Sequence, residues 1–205
     1  MSLVAAGIDV ALKEWALVCE LLVRGEQIAL LRKGGIHEPH RGAFTLEHET
    51  FLLYPNAEHQ SAELIQPRYQ HLLNGHAPVP REEGELVIPG YCRVTDAIQL
   101  PDAEQVHALS PLTCWTESFF TQRLAYKPER PTLLVLVRAY CFPTPVRLPY
   151  HKTYAGCRSW VPLRDGVDAV TVGGAAPALD DDAFEAQRQA VLGALDARVA
   201  VAIGR

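Results

Sequence analysis

Between Val10 and Val23, the apolar residues Leu12, Trp15, Ala16, Cys19 and Leu22 recur every three or four positions. That spacing predicts a helix with one buried stripe. Asp9 stands at the N-cap position and Gly25 closes the segment,. Gln27 to Arg32 is a short apolar run that predicts a strand, stopped by Gly34-Gly35. Thr50 to Tyr54 predicts a second strand, closed by Pro55. Glu58 to Leu73 carries helical spacing, with Pro67 forcing a start, kink or break. Glu85 to Ile88 and Tyr91 to Ile98 predict two strands about a Pro89-Gly90 turn or bulge. Pro111 to Ala125 predicts a helix. Thr132 to Phe142 is the clearest strand, because Leu133 to Val137 is continuously apolar, as burial on both faces requires. Three prolines then keep the chain extended to Pro149. Gly156 to Leu163 predicts a last strand, Val167 to Leu179 a Gly/Ala-rich linker, and Asp180 to Val199 a helix with Phe184, Val191, Leu195 and Val199 on one face.

Helices and strands in this order do not alternate regularly, so they predict an α+β fold rather than a βαβ repeat. The expected form is a small curved mixed β-sheet or barrel flanked by helices, plus a C-terminal helix. The expected boundary is a main domain at 1–164, followed by an acidic linker and helix at 165–205.

Composition narrows the class. Apolar residues make up 48% of the 205 residues, enough for a sizeable core. No apolar run reaches the roughly 20 residues of a membrane span. The first residues lack a basic and apolar leader pattern. Together these imply a cytoplasmic protein with no membrane partner. Five widely spaced cysteines, none in a two-residue spacing, read as reduced thiols,. The net charge is −5 and concentrates in residues 165–205, where seven acids face three arginines. The rest is almost neutral. A broadly basic coat for duplex DNA is therefore excluded, while a local basic cleft is not.

Four constellations carry candidate chemistry. Arg32-Lys33-Gly34-Gly35 places a basic pair and bare backbone N–H groups at a strand end, which suits a phosphate. It also suits a plain solvated turn. Tyr154-Ala155-Gly156-Cys157-Arg158-Ser159-Trp160 combines stacking faces, a planar donor and a small hydroxyl, as an unstacked base requires. Against that, a tryptophan such as Trp160 is commonly core. His37, His40, His48 and His59, with Glu47, Glu49 and Glu58, contain ligand types for a metal but lack helical ligand spacing. Glu58-His59-Gln60 has the spacing of a nuclease Glu-x-Lys motif with Gln in place of Lys. Cys157 and Ser159 are nucleophile types without a nucleophile elbow.

Three stretches resemble an uncharacterised bacterial family, the domain-of-unknown-function family 1802. They are Leu12-Lys13-Glu14-Trp15-Ala16 with Leu30-Leu31-Arg32-Lys33-Gly34-Gly35-Ile36; Phe51-Leu52-Leu53-Tyr54-Pro55 with Glu58-His59-Gln60; and Tyr154 to Val161. They frame residues 11–163. Some members of that family are joined to Mrr-type restriction endonuclease domains, which implies a role in DNA metabolism or defence and a restriction-system protein as a partner. The helix, Gly25-Glu26-Gln27 and the strand ending at Arg32 also resemble the opening of the PUA-like superfamily, in particular its ASCH branch. That resemblance implies a curved barrel binding RNA or modified bases. The sequence departs from it at Gln27 and Leu30, so only Gly25 and Arg32 carry over.

The leading expectation is a non-enzymatic nucleic-acid-binding domain, for single strands or modified bases. Its cleft candidates are Arg32, Lys33, Arg68, Arg123, Arg138, Tyr154, Arg158 and Trp160. No catalytic residue or cofactor is implied. A metal-assisted nuclease or hydrolase using Glu47, His48, Glu49, Glu58 and His59 is the alternative. A protein-interaction adaptor using the acidic C-terminal segment is the third.

Overall fold

The computed structural model of the chain describes residues 7–33, 44–75, 84–100, 106–167 and 169–195. In chain order its elements are β1 (Ile8–Trp15), α1 (Ala16–Val23), β2 (Ala29–Arg32), β3 (Thr50–Asn56), 3-10 segments at Ala62–Leu64 and Pro67–Gly75, β4 (Glu85–Leu100), a 3-10 turn at Ser110–Leu112, α2 (Glu117–Ala125), β5 (Thr132–Pro149), a 3-10 turn at Lys152–Tyr154, β6 (Trp160–Val167), α3 (Ala169–Gly173), β7 (Ala176–Pro177) and α4 (Asp181–Ala194).

The opening helix is shorter than its stripe implies. Val10, Ala11 and Leu12 fit a helical spacing, but they are also a continuous apolar run, and such runs fill central strands. β1 is such a strand: it pairs in parallel with β3 on one side and antiparallel with β6 on the other. Asp9 therefore lies in the strand and caps nothing. The helix begins only at Ala16, where the side chain of Gln60 accepts the N–H of Leu17 at 2.9 Å. The helix expected over 58–73 is likewise replaced by the two 3-10 segments. His59 takes a left-handed φ of 64°, which interrupts any helix, and Pro67 opens the second segment,.

The sheet runs β2-β5-β4-β3-β1-β6, with β7 beside β5. It is mixed and open, flanked by helices and followed by a C-terminal helix, in the α+β arrangement the sequence implies. It also curls. Arg32, at the end of β2, donates to the carbonyl of Lys13 on β1 and to the Ser159 hydroxyl just before β6. Side chains thus join the two ends of the strand order, although no ladder does among the described residues.

The two strands expected around Pro89-Gly90 are one long strand, β4, bent there. Ile88 faces Val146 but Gly90 faces Cys141, so residues Phe142 to Pro145 of β5 stand opposite Pro89 alone,. The bend divides the core. The larger cluster gathers Leu17, Leu30, Phe51, Trp115 and residues Leu134 to Val137; the smaller gathers Tyr54, Ile88, Phe142, Tyr154 and Val161. Cys19, Cys92 and Cys114 are buried, which pushes their thiols well up and leaves them inert,.

The C-terminal helix is not separated from the domain. Asp180 caps it by accepting the N–H of Ala183 at 2.8 Å. Val191 and Leu195 belong to the larger core cluster. The segment expected as a linker supplies β7, which pairs with β5, and the N–H of Ala178 bonds the carbonyl of Ala139. The boundary expected at 164 therefore cuts through packed structure, since the segment after it pairs with β5 and leads into a helix that joins the core. Val199 lies outside the described residues.

One ion pair anchors α4 to the sheet. Arg188 donates to both oxygens of Asp96, at 2.6 and 2.7 Å. Burial raises the Asp96 pKa, but the Arg188 and Thr95 hydrogen bonds outweigh it and hold the carboxyl below its ordinary value. The stabilisation is therefore present above the unfolded value near pH 4 and is lost as pH falls through the folded value. Asp96→Asn is expected to cost about 1–2 kcal/mol at pH 7 and to flatten the acid limb of stability, read by urea denaturation between pH 3 and 7. An unchanged acid limb would show that Asp96 does not couple to folding.

Candidate functional site: a cationic pocket at the mouth of the curled sheet

Where the sheet ends converge, a cavity of about 240 Å³ opens, lined among others by Lys13, Glu14, Arg32, Lys33, Arg123 and Arg158. Five cationic side chains thus face it against two carboxylates, Glu14 and Glu58, in a chain of net charge −5.

The cations come from β1 (Lys13), the end of β2 (Arg32 and Lys33), α2 (Arg123) and the segment before β6 (Arg158). Arg32 sits between Glu14, at 2.8 Å, and Ser159, with its guanidinium over the Phe44 ring at 5.0 Å. Both side chains of the ion pair are largely buried, so the pair is a rigid fixture and not a surface contact. Lys33 reaches the carbonyls of Arg123 and Leu124 at 3.2 and 3.1 Å. It thereby caps the last turn of α2, where a cation meets the helix dipole. Burial and the neighbouring Arg123 lower its pKa. Arg123 donates to the carbonyl of Leu31 at 3.2 Å and lies over Phe119 at 5.4 Å. Its Nε is buried and meets no acceptor among the described residues. Phe119 is itself held between Trp115 and Trp15, so the aromatic core fixes the position of α2.

Lys13 is the hinge of the site. Its ammonium donates to the carbonyls of Tyr154 and Gly156, at 2.7 and 2.9 Å, and stands 4.9 Å over the Tyr54 ring. Burial lowers its pKa, which Glu58 and Cys157 partly oppose and Arg158 reinforces. A lysine has three donors, so one remains for a ligand. Arg158 and Cys157 are exposed on the rim. His59, in its left-handed conformation, completes the wall with Glu58 and Asn56, whose Oδ1 accepts the N–H of Glu58. Strained non-glycine residues of this kind concentrate at functional sites.

Arg32, Lys33, Arg123 and Arg158 are thus brought together as the sequence suggests, and the remaining cleft candidates are not. Tyr154 is fully buried; its hydroxyl accepts the N–H of Arg164 at 3.0 Å, so it offers no stacking face. Trp160 is 7% exposed, stacked on Phe44 and packed by Phe51 and His48, with its indole N–H bonded to the Thr45 carbonyl. Both are core residues: Tyr154 ends the 3-10 turn before β6, Trp160 opens β6, and both side chains pack inward. Arg68 lies over Tyr69 and donates to the Pro111 carbonyl, and Arg138 pairs with Asp181 at the start of α4. Neither lines the pocket. Gly34, Gly35, His37 and His40 lie outside the described residues.

The metal set is divided by the fold. Glu47, His48 and Glu49 precede β3, whereas Glu58 and His59 follow it, across seven strand residues spanning about 20 Å,. Among the described residues no group of three or more His, Cys, Asp or Glu could hold a metal ion. Gln60, the residue in the nuclease lysine position, is spent on the N–H of Leu17.

Lys13 and Glu14 escaped the sequence-based candidates. Their signal was a charged pair inside an otherwise apolar segment, visible only once that segment is a strand. A second cavity of about 360 Å³ adjoins the first and shares Lys13, Asn56, Glu58 and Gly156 with it, adding Tyr54 and Tyr150.

The profile of a family described as a domain of unknown function, DUF1802, matches residues 11–190. The chain belongs to that family. The DUF1802 match extends well into α4, in keeping with the packing of that helix into the core. It also contains every residue of the cationic pocket. No curated protein matches the chain. No helix among the described residues is long and apolar enough to cross a membrane.

Proposed function

We propose that this DUF1802 domain binds nucleic acid, with the cationic pocket holding phosphate. The carrying observation is that Lys13, the adjacent Arg32 and Lys33, Arg123 and Arg158 come from four separate segments of an acidic chain and face one small cavity. Charge gathered against the chain's own net charge favours an anionic ligand. Fixed guanidinium and ammonium donors suit phosphate oxygens. The domain acts as a recognition module. The curled sheet, α1 closed by Gly25 at φ 70°, and β2 ending on Arg32 support the PUA-like reading of the fold. A place in restriction or defence is part of the same proposal, resting on the resemblance to proteins joined to Mrr-type nuclease domains.

The test is titration of a labelled short single-stranded oligonucleotide at several salt concentrations. Two or three neutralised phosphates give a log–log slope of roughly −1.5 to −2, and Arg158→Ala should weaken binding and reduce that slope by about 0.7. Arg158 is exposed and its removal should leave the fold intact. Absence of binding below about millimolar at low salt would overturn the proposal and move the adaptor reading forward. A hydrolase reading has one specific support, the left-handed His59 beside Glu58 in the pocket wall. Oligonucleotide cleavage that depends on a divalent cation and on His59 would replace the binding module by that enzyme.

A further inference from the structure

The two adjoining cavities differ in chemistry. One is cationic; the other is bounded by Tyr54 and Tyr150, and Lys13 stands between them. Tyr54 is buried, but Tyr150 is only half-buried and meets Tyr154 edge-on at 6.0 Å. A ligand filling both halves needs an anionic head and a flat or apolar body joined within a few ångströms. A single nucleotide has that shape.

The charge balance narrows it further. Five cations against two carboxylates leave the cationic half with an excess of three. A phosphodiester carries one negative charge, whereas a phosphate monoester carries nearly two near neutral pH. Lys13 retains a donor beyond its two carbonyl contacts. It suits the extra oxygen of a monoester. Two arginines that could have extended a phosphate track, Arg68 and Arg138, are engaged away from the pocket.

We propose that the paired cavities form a site for a nucleoside phosphate monoester, with phosphate among Lys13, Arg32, Arg123 and Arg158 and the nucleoside against Tyr150. This rests on the nucleic-acid reading for its biological source: the monoester is a strand end or a free nucleotide. Gly156 lines both halves at φ 92° with open space where a side chain would stand, so at that position only the Lys13 ammonium, bonded to its carbonyl, lies between them.

Cys157 supplies the probe. It lines the cationic half and is exposed, whereas Cys19, Cys92 and Cys114 are buried and Cys141 is half-buried. The experiment measures the rate of Cys157 alkylation by iodoacetamide, read by mass spectrometry. The added ligands are a nucleoside monophosphate, the parent nucleoside or inorganic phosphate. The monophosphate should slow alkylation several-fold at concentrations where the other two have little effect, and Tyr150→Ala should abolish its advantage over phosphate. Equal protection by inorganic phosphate, or no protection by any of the three, overturns the proposal. A parallel arm compares one oligonucleotide with and without a 5′- or 3′-terminal phosphate. Tighter binding of a phosphorylated strand, by about tenfold, identifies the strand end as the source. Equal binding of all strands, with no protection of Cys157 by the monophosphate, leaves the nucleic-acid reading standing and overturns the monoester site. Protection by the monophosphate with no strand bound sinks the nucleic-acid reading and retains the site for a free nucleotide.

Discussion

Glu14→Ala is expected to destabilise the domain by about 3–5 kcal/mol, the cost of leaving one member of a buried ion pair unpaired. The side chains of Arg32 and Glu14 are 11% and 9% exposed and 2.8 Å apart. Solvent therefore does little to replace the lost carboxylate. Glu14 also accepts the N–H of Trp15 at 2.7 Å, at the junction where β1 gives way to α1. Its removal uncovers that donor too. The double variant Glu14→Ala with Arg32→Met should recover much of the loss, because it removes the stranded charge as well as its partner. Recovery should be incomplete, since Arg32 also serves the Lys13 carbonyl and the Ser159 hydroxyl. Urea denaturation midpoints of the four proteins in the cycle provide the measurement. A Glu14→Ala cost below about 1 kcal/mol would show that the pair is effectively solvated and does not hold the sheet ends together.

Gly90→Ala is expected to cost more than about 3 kcal/mol, beyond ordinary overpacking. A Cβ at this position would lie 2.0 Å from the carbonyl oxygen of Tyr140 and 3.1 Å from its carbon. Both atoms are backbone, so no rotamer change relieves the clash. β4 and β5 would have to separate at the bend on which the two core clusters meet. Gly193→Ala is the contrast. A Cβ there meets nothing within 4 Å, and the residue is exposed in α4. It should stabilise by about 0.5–1 kcal/mol through helix propensity alone. Thermal denaturation of both variants checks the pair. A tolerated Gly90→Ala would mean that the bend can open without loss of pairing.

Much of the architecture was legible along the chain, for local reasons. The continuous apolar run of β5 demanded burial on both faces and received it. The acidic run Asp180-Asp181-Asp182 and the apolar stripe with Phe184 and Val191 marked the start and the buried face of α4, since capping and helical spacing are properties of neighbouring residues. Membership in DUF1802 followed from short contiguous motifs. The Pro89-Gly90 pair announced a bend, because proline removes a donor and glycine permits close approach.

The tertiary structure decided what depends on which strands are neighbours. Val10 to Leu12 satisfies helix and strand patterns equally, and only its place between β3 and β6 selects the strand. Tyr154 and Trp160 have the composition of a stacking platform, yet the turn before β6 and the first residue of β6 put them into the core. Glu58 and His59 share a metal's chemistry with Glu47, His48 and Glu49, but β3 holds the two groups apart. The sequence determined which residue types were present: basic side chains at Arg32, Lys33, Arg123 and Arg158, and a charged Lys13-Glu14 pair in an apolar segment. The curl of the sheet, which carries the end of β2 to the approach of β6, alone decided that these charges face one cavity. Charge and apolarity are written residue by residue, whereas convergence of distant segments follows from strand order and bending of the whole sheet.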